Sequence, residues 1–532
     1  PITKDLEKAN HFKEILKKRF SGTSEEYYDR EFKLEAESFV AKELADKEKI
    51  TNHPVITLRE LEQNIKRLKS RSAPGKDGIY NTMLANLSVG FIHLILKLFN
   101  MCLKEGNIPA TWKKSLITMI LKGSKLASNA NNYRPISLIS CLSKLLERII
   151  GQRLSGLLEE NNIISRQQSG FRRFRRTTDN LAFHTQKVME AFNKKGRKVL
   201  TLSFDIQAAF DAVWHEGLIY KMLKYNIPRY LINWTRGFLS NRSFEVKVND
   251  SITNPAPIIT GVPQGSSISP ILFGIFINDI PMGSPSSESY SLLFADDLTT
   301  SFFYDKIKIS NENVSYRVSE YLREIEKWLC KWRLKMSPEK CSYSVFAKGN
   351  SAKNKFGFRL LGKEIPHDKT PTTLGITFDE CLNFKKHLKK LKAKCLQRLN
   401  IIKILSHRSW KLNHKTLVSI YNSLIGSVID YSAFMYPVLS ESARKSIQAI
   451  QNGAVRLIFH RSKTEHLSTE TLCNLSNLIT VETRMEALNA RYFSKAISNR
   501  NPLVIEMIED YWFNFGNEIL SKKTLLCDQF EK

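Results

Sequence analysis

Two apolar runs, Tyr290–Ala295 and Leu298–Phe303, stand with only Asp296-Asp297 between them. So short a connection points to an antiparallel hairpin, because a turn of two residues reverses a strand while a parallel crossover needs a dozen or more. The hairpin would carry two adjacent carboxylates near its tip. Acid pairs in turns usually serve turn geometry alone. Here the apolar flanks make the tip a poor place for bare charge, and two anions held together repel unless a cation lies between them. Magnesium, a hard cation that seeks oxygen, suits carboxylates and phosphates.

A third acid extends the pattern. Val199-Leu-Thr-Leu-Ser-Phe-Asp205 has period two, with Leu200, Leu202 and Phe204 on one side and Thr201, Ser203 and Asp205 on the other. Helical residues Ala208, Ala209 and Phe210 are expected to follow at once, so Asp205 could equally be a helix N-cap. If a neighbouring strand sets it beside the hairpin tip, three carboxylates from two strands can hold two divalent ions ~3.5–4 Å apart. That spacing serves in-line phosphoryl transfer, one ion acting on an attacking 3′-hydroxyl and the other on a departing pyrophosphate.

The charge balance names the kind of partner. Lys and Arg number 81 against 52 Asp and Glu, a net charge of +29, which attracts a polyanion, nucleic acid or an anionic membrane surface. The most apolar stretches, Val89–Phe99 and Pro270–Ile280, are broken by His93 and Lys97 and by Asn278 and Asp279, short of the ~18–20 clean apolar residues of a membrane span. No membrane partner is expected. The eight cysteines are scattered with no C-x-x-C pair, which reads as reduced thiols in an intracellular compartment. The chain begins Pro1-Ile-Thr-Lys without a signal peptide and is read as a piece of a longer polypeptide.

Helices are expected over Lys4–Arg19 and Glu25–Lys49, with a break at Thr51–Pro54 and a helix capped by Thr57 with Glu60 three residues on. Ser72-Ala-Pro-Gly-Lys-Asp-Gly78 is a dense turn signal. Strands and helices alternate from about 110 to 380, where Ser269-Pro270 is read as N-cap and first position of an apolar helix. Beyond 380 the texture is helical and basic. Leu388, Leu391, Cys395, Leu399, Ile402 and Leu405 recur at helical steps, and no acid occurs between Leu382 and Ile429. Lys385, Lys389, Lys392 and their neighbours are therefore read as phosphate contacts.

Three segments now carry a resemblance. Phe204-Asp-Ile-Gln-Ala-Ala-Phe-Asp-Ala-Val213, Gly261-Val-Pro-Gln-Gly-Ser-Ser-Ile-Ser-Pro270 and Phe294-Ala-Asp-Asp297 resemble successive palm motifs of reverse transcriptases in order and spacing. Ser72-Ala-Pro-Gly-Lys-Asp-Gly-Ile79, Asn132-Tyr-Arg-Pro-Ile-Ser137 and Gln168-Ser-Gly-Phe-Arg172 resemble the non-LTR, LINE-type branch, closest to its Jockey-like clades. The resemblance covers roughly residues 55–500.

It implies an α+β right-hand polymerase: fingers, a palm with an antiparallel sheet, and a helical thumb, with helical N- and C-terminal extensions. The expected divisions are an N-terminal extension 1–55, fingers and palm 56–380 (core reverse transcriptase domain about 101–379), a basic thumb 381–460 and a C-terminal extension 461–532. Asp205, Asp296 and Asp297 match the metal-binding aspartates, for two Mg²⁺ with Mn²⁺ as a substitute. Phe210 matches the steric gate that leaves no room for a 2′-OH. Gln264 is similar to the residue that abuts the incoming nucleotide and template. Arg134 and Lys122, or Lys125 in its place, match triphosphate cations. Lys340 resembles the lysine that protonates pyrophosphate, and Leu374-Gly-Ile-Thr-Phe378 the primer-grip hairpin. Arg166, Arg172, Arg173, Arg175 and Arg176, interleaved with Phe171 and Phe174, read as a stacking and phosphate surface for template RNA.

The function so implied is copying retrotransposon RNA into cDNA, in target-primed reverse transcription, from template RNA, a DNA primer or target DNA, and dNTPs. Its setting would be cytoplasmic ribonucleoprotein assembly followed by nuclear integration. The alternative is a catalytically silent RNA-binding relic or maturase-like protein. No Asp/Glu/His nuclease set is visible before residue 55, so target nicking is expected to lie outside this sequence.

Overall fold

The structure is a computed structural model that describes residues 3–22, 27–45, 54–123, 125–194, 196–283, 288–305, 311–348, 356–462, 464–515 and 524–526. Pro1, Ile2, Glu25 and residues 46–49 and 51–53, named above, lie outside them. The first two helices, α1 (Asp5–Phe20) and α2 (Arg30–Ala45), fall close to the periodicity that announced them. Thr57 caps the next helix, its hydroxyl accepting from the Glu60 N–H at 3.2 Å.

Nine strands build two sheets: β1 (Lys114–Leu121), β2 (Tyr133–Leu138), β3 (Arg197–Phe204), β4 (Arg242–Val248), β5 (Ser251–Ile252), β6 (Ala256–Ile258), β7 (Ser289–Phe294), β8 (Asp297–Asp305) and β9 (Ser342–Phe346). The first sheet runs β2-β1-β4-β5, with β6 also on β4. Its β1–β4 pair is parallel and the rest are antiparallel. Helix α1 lies on this sheet, where Ala9, Leu16 and Phe20 pack with Ile117, Phe244, Val246 and Ile258.

The second sheet runs β7-β8-β3-β9 and is wholly antiparallel. Period two in β3 feeds two cores at once. Leu200, Leu202 and Phe204 enter one with the helices His215–Lys224, Ser269–Phe276 and Asn311–Trp332. Val199 enters the other with Leu181 and Val188 of the helix Thr177–Asn193. On the side read as polar Thr201 is buried as well, and it and Ser301 satisfy each other, hydroxyl to hydroxyl at 2.9 Å.

Two local expectations need correction. No helix follows Asp205: residues 207–212 form turns in which Ala208 has φ 49° and its carbonyl accepts the Asp211 and Ala212 N–H groups at 2.8 and 3.0 Å. A helix begins only at His215. Ser269 is not the cap of its helix but its first residue; the Ser266 hydroxyl accepts from the N–H groups of Ile268 and Ser269, both at 3.3 Å.

The basic helix spans Lys385–Leu405 and buries Leu391, Cys395, Leu399 and Ile402, the stripe its periodicity predicts. Its core continues through the helices Glu441–Ile458, Val481–Ser498 and Pro502–Phe515, so one core spans both sides of residue 460. No helix among the described residues is long and apolar enough to cross a membrane. The fold is α+β: two sheets built before residue 347 and a helical, basic region from Lys385 onward.

Candidate active site

The strand register assembles the acids. The β3–β8 ladder ends with Phe204 opposite Leu298, so Asp205, the next residue, lies beside the end of β8 where Asp297 begins the strand, close enough for its charge to act on Asp297. Phe294 pairs with Asp297 across a turn of Ala295 and Asp296, which places all three acids at one end of the central strand pair. Ala295 carries φ 57°, the left-handed geometry that two-residue hairpin turns demand.

Each acid responds to that crowding. Burial, joined by the charge of Asp205, raises the pKa of Asp296, against a partial offset from Arg134. Burial and then the charges of Asp296 and Asp205 push Asp297 up to about 6. Asp205 meets the Lys340 ammonium, Nζ to Oδ2 at 3.3 Å. Among the described residues no three His, Cys, Asp or Glu side chains stand as a ready-made metal cage. The backbone brings the three acids together, while the Asp205 carboxylate is turned to an ammonium. The donor set still fits a divalent ion: all its ligands are carboxylate oxygens, two are held above their ordinary pKa partly by the charge of the others, and a cation already sits on the third.

A residue that sequence reasoning passed over fixes the hairpin. Gln168 is buried, and its amide straddles the turn: Oε1 accepts the N–H of Ala295 at 3.0 Å and of Gly170 at 2.7 Å, and Nε2 donates to the Ala295 carbonyl at 3.2 Å. The N–H of Ser169 donates to the Leu293 carbonyl at 2.8 Å, extending β7 by a bridge. A Cβ on Gly170 would stand 2.1 Å from the Ala295 nitrogen, so only glycine fits. The Gln168-Ser-Gly block was visible in sequence as part of a resemblance; its mechanical duty was not.

Phe210, read above as the gate, is packed face to face on Phe273 at 4.6 Å and edge-on to Phe171 at 6.1 Å. Gln264 is fastened by side chain and backbone. Its Nε2 donates to Asp211 Oδ1 at 2.8 Å and its backbone carbonyl accepts the Ser137 N–H at 2.7 Å. Two residues on, buried Glu147 accepts the Ser266 hydroxyl at 2.6 Å and the Ser267 N–H at 2.8 Å. Asp211 is itself buried, which pushes its carboxyl up to about 6 against the pull of Gln264, Arg19 and Lys122.

The cations gather on the β1–β2 side. Lys122 donates to the Asn131 carbonyl at 3.3 Å, and burial together with Arg19, Lys125, Lys340 and Arg134 lowers its pKa. Arg134 is exposed at the start of β2, near enough to Asp296 to act on it. Lys122 and Lys125 both belong to this cluster, which does not choose between them. Arg19 is a member that sequence reasoning left in a plain extension.

The five arginines near residue 170 do not form one surface, which corrects the expected template face. Arg172 is spent inside the fold, gripping Glu159 at 2.7 and 2.5 Å and donating to the Ser165 and Gln168 carbonyls. Arg175 is largely buried, which lowers its pKa to about 10, and donates to Asn501 at 2.6 Å. Arg166, Arg173 and Arg176 stay exposed, Arg173 lying over the Phe174 ring at 4.5 Å. Lys385, Lys389 and Lys392 are exposed along one stripe of their helix. The segment read as the primer grip, residues 374–378, takes part in a hairpin of Thr372–Thr373 and Ile376–Thr377, and the Tyr431 hydroxyl donates to its Leu374 carbonyl at 2.6 Å.

Comparison with known proteins agrees with this geometry. The model of the family "Reverse transcriptase (RNA-dependent DNA polymerase)" matches residues 120–378. The probable RNA-directed DNA polymerase from transposon BS of Drosophila melanogaster is 30% identical over 91% of this chain and 53% of its own length. The RNA-directed DNA polymerase from mobile element jockey of the same species is 30% identical over 76% of this chain and 44% of its own. The chain thus spans about half the length of the curated relatives it matches. A solved structure, apo telomerase from Candida tropicalis, aligns with a TM-score of 0.41 and 12% identity over 81% of this chain and 73% of that one.

Proposed function

Because this chain belongs to the reverse transcriptase family, in its non-LTR, Jockey-like branch, we propose that it copies an RNA template into DNA. The observation that supports this most is the β3–β8 register, which puts Asp205 beside Asp297 at the tip of a clamped hairpin. Reverse transcriptases as a family depend on divalent metal. Asp205, Asp296 and Asp297 would hold the ions, two Mg²⁺ with Mn²⁺ able to stand in. Bound there, such ions supply a lowered pKa for the primer 3′-hydroxyl and charge stabilisation for the leaving pyrophosphate.

This chain's own groups do the rest. Arg134 and Lys122 neutralise the triphosphate, Arg as a planar fork and Lys as a point charge. The Phe210 ring, backed by Phe273, occupies the space a ribose 2′-OH would need, and so selects dNTPs. Lys340, its Nζ 3.3 Å from Asp205 Oδ2, donates a proton to the leaving pyrophosphate. Exposed Arg166, Arg173 and Arg176 hold template RNA, and Lys385, Lys389 and Lys392 grip the backbone of the nascent duplex.

The divisions proposed are an N-terminal extension to residue 55, fingers and palm over 56–380, and a thumb from 381 whose core runs on past 460 into the segment read as a C-terminal extension. The setting proposed is intracellular: ribonucleoprotein assembly in the cytoplasm and target-primed synthesis on nuclear DNA. Primer extension on poly(rA)/oligo(dT) with Mg²⁺ tests the activity. Product from dTTP that disappears in Asp296→Asn is expected. RNA binding without synthesis would mark a silent binding protein, and preference for UTP an RNA polymerase.

A further inference from the structure

Helix α1 ends against the nucleotide side of the fingers rather than beside it. The Phe20 carbonyl accepts the N–H groups of Ile259 and Thr260, both at 3.0 Å, and its ring meets Phe244 edge to face at 5.1 Å. These contacts fix the backbone at Arg19. The guanidinium then reaches two ways, Nη2 donating to Asn131 Oδ1 at 3.0 Å and Nη1 standing 4.0 Å from Asp211 Oδ2. Asp211 is almost closed to solvent, its side chain 4% exposed, and its other oxygen accepts the Gln264 amide at 2.8 Å.

The order of that chain has a chemical consequence. A carboxylate only accepts, so Asp211 takes the amino end of the Gln264 amide and leaves the side-chain carbonyl oxygen free to accept. An isolated glutamine could turn its amide over; one bonded to a buried carboxylate loses that bond if it does. Arg19 supplies the positive charge that keeps the carboxylate ionised and aligned.

We propose that Arg19 and Asp211 are positioning residues for the incoming nucleotide: the arginine of the N-terminal helix orients a buried carboxylate, which presents the Gln264 carbonyl oxygen to the substrate. The proposal rests on the polymerase reading above. It makes the N-terminal helix part of the pocket and gives Asp211, the second acid of the Phe-Asp-Ile-Gln-Ala-Ala-Phe-Asp block, a duty separate from that of Asp205.

The test uses the full chain on poly(rA)/oligo(dT) at saturating Mg²⁺, with dTTP varied. Arg19→Ala, Asp211→Asn and Gln264→Ala should each raise KM for dTTP by about tenfold and change kcat by less than about threefold, the size of one lost charge-assisted hydrogen bond. Arg19→Ala combined with Gln264→Ala should be no worse than Gln264→Ala alone, and Arg19→Lys should recover part of the loss. An Arg19→Ala protein with normal melting and wild-type KM would overturn the proposal. So would losses that multiply in the double variant. If Asp211→Asn fails to fold, the more accessible Arg19 and Gln264 variants decide alone. A wild-type chain that binds the template and extends nothing would instead refute the polymerase reading, and this inference with it.

Discussion

Phe210 has little freedom, because Phe273 lies parallel behind it at 4.6 Å and Phe171 closes one edge. In the gate role proposed for it, a ring so backed would reject a 2′-OH by shape and not by a hydrogen bond. Phe210→Ala should therefore lower discrimination between dTTP and UTP by about 10- to 100-fold, measured as the ratio of kcat/KM values, with the Mg²⁺ requirement nearly unchanged. Asp297 answers to charge instead. Its carboxyl is raised to about 6 from an ordinary 3.8, so the stabilising effect of its protonated form is present at low pH and lost as pH rises through about 6. At pH 7.5 without divalent ions the ionised group is a strain. Asp297→Asn should raise the metal-free Tm there by about 1–3 °C, an advantage that disappears near pH 4. Wild-type protein should gain Tm when Mg²⁺ is added, and the variant should gain less.

At the scale of elements, the catalytic hairpin depends on a loop more than a hundred residues earlier in the chain. Gln168→Ala would leave the Ala295 N–H and carbonyl and the Gly170 N–H without their partner. The expected costs are about 1–3 kcal/mol of stability and a fall in kcat larger than that in dNTP affinity, measured by chemical denaturation and steady-state kinetics. In the duplex-binding role proposed for it, the helix Lys385–Leu405 would act through charge alone along its exposed stripe. Replacing Lys385, Lys389 and Lys392 together by Ala should weaken RNA–DNA duplex binding and reduce the slope of log K against log salt by about 2–3. A slope that does not change would place the duplex elsewhere.

Across the whole molecule, the parts legible in the sequence were those written in local pattern. Apolar runs around Asp296-Asp297 announced the hairpin, and the Leu391–Cys395–Leu399–Ile402 stripe announced the thumb helix, because each is a short-range periodicity. What stayed hidden was made by distant segments meeting. Nothing near Arg19 says that it faces Asp211, since the packing of α1 on β4 and β6 decides that. Arg172 and Arg175 read as nucleic-acid contacts from composition, yet Glu159 and Asn501 had claimed them. Local propensity also failed after Asp205, where Ala208 and Ala209 favour helix but the bridge from Ile206 to Met336 and the Gln207 N–H on the Lys335 carbonyl hold the chain in a turn. Because α1 and α2 share cores with the fingers and palm, removal of residues 1–45 should leave an insoluble or inactive chain and not a smaller working enzyme.

All of this depends on Asp205, Asp296 and Asp297 acting as one cation site. Titration of the full chain with Mn²⁺, followed by electron paramagnetic resonance in the presence of primer–template and dNTP, reads that site directly. Two bound ions are expected, with Asp205→Asn, Asp296→Asn and Asp297→Asn each weakening the same binding. Mn²⁺ binding that is unchanged by Asp205→Asn would contradict it.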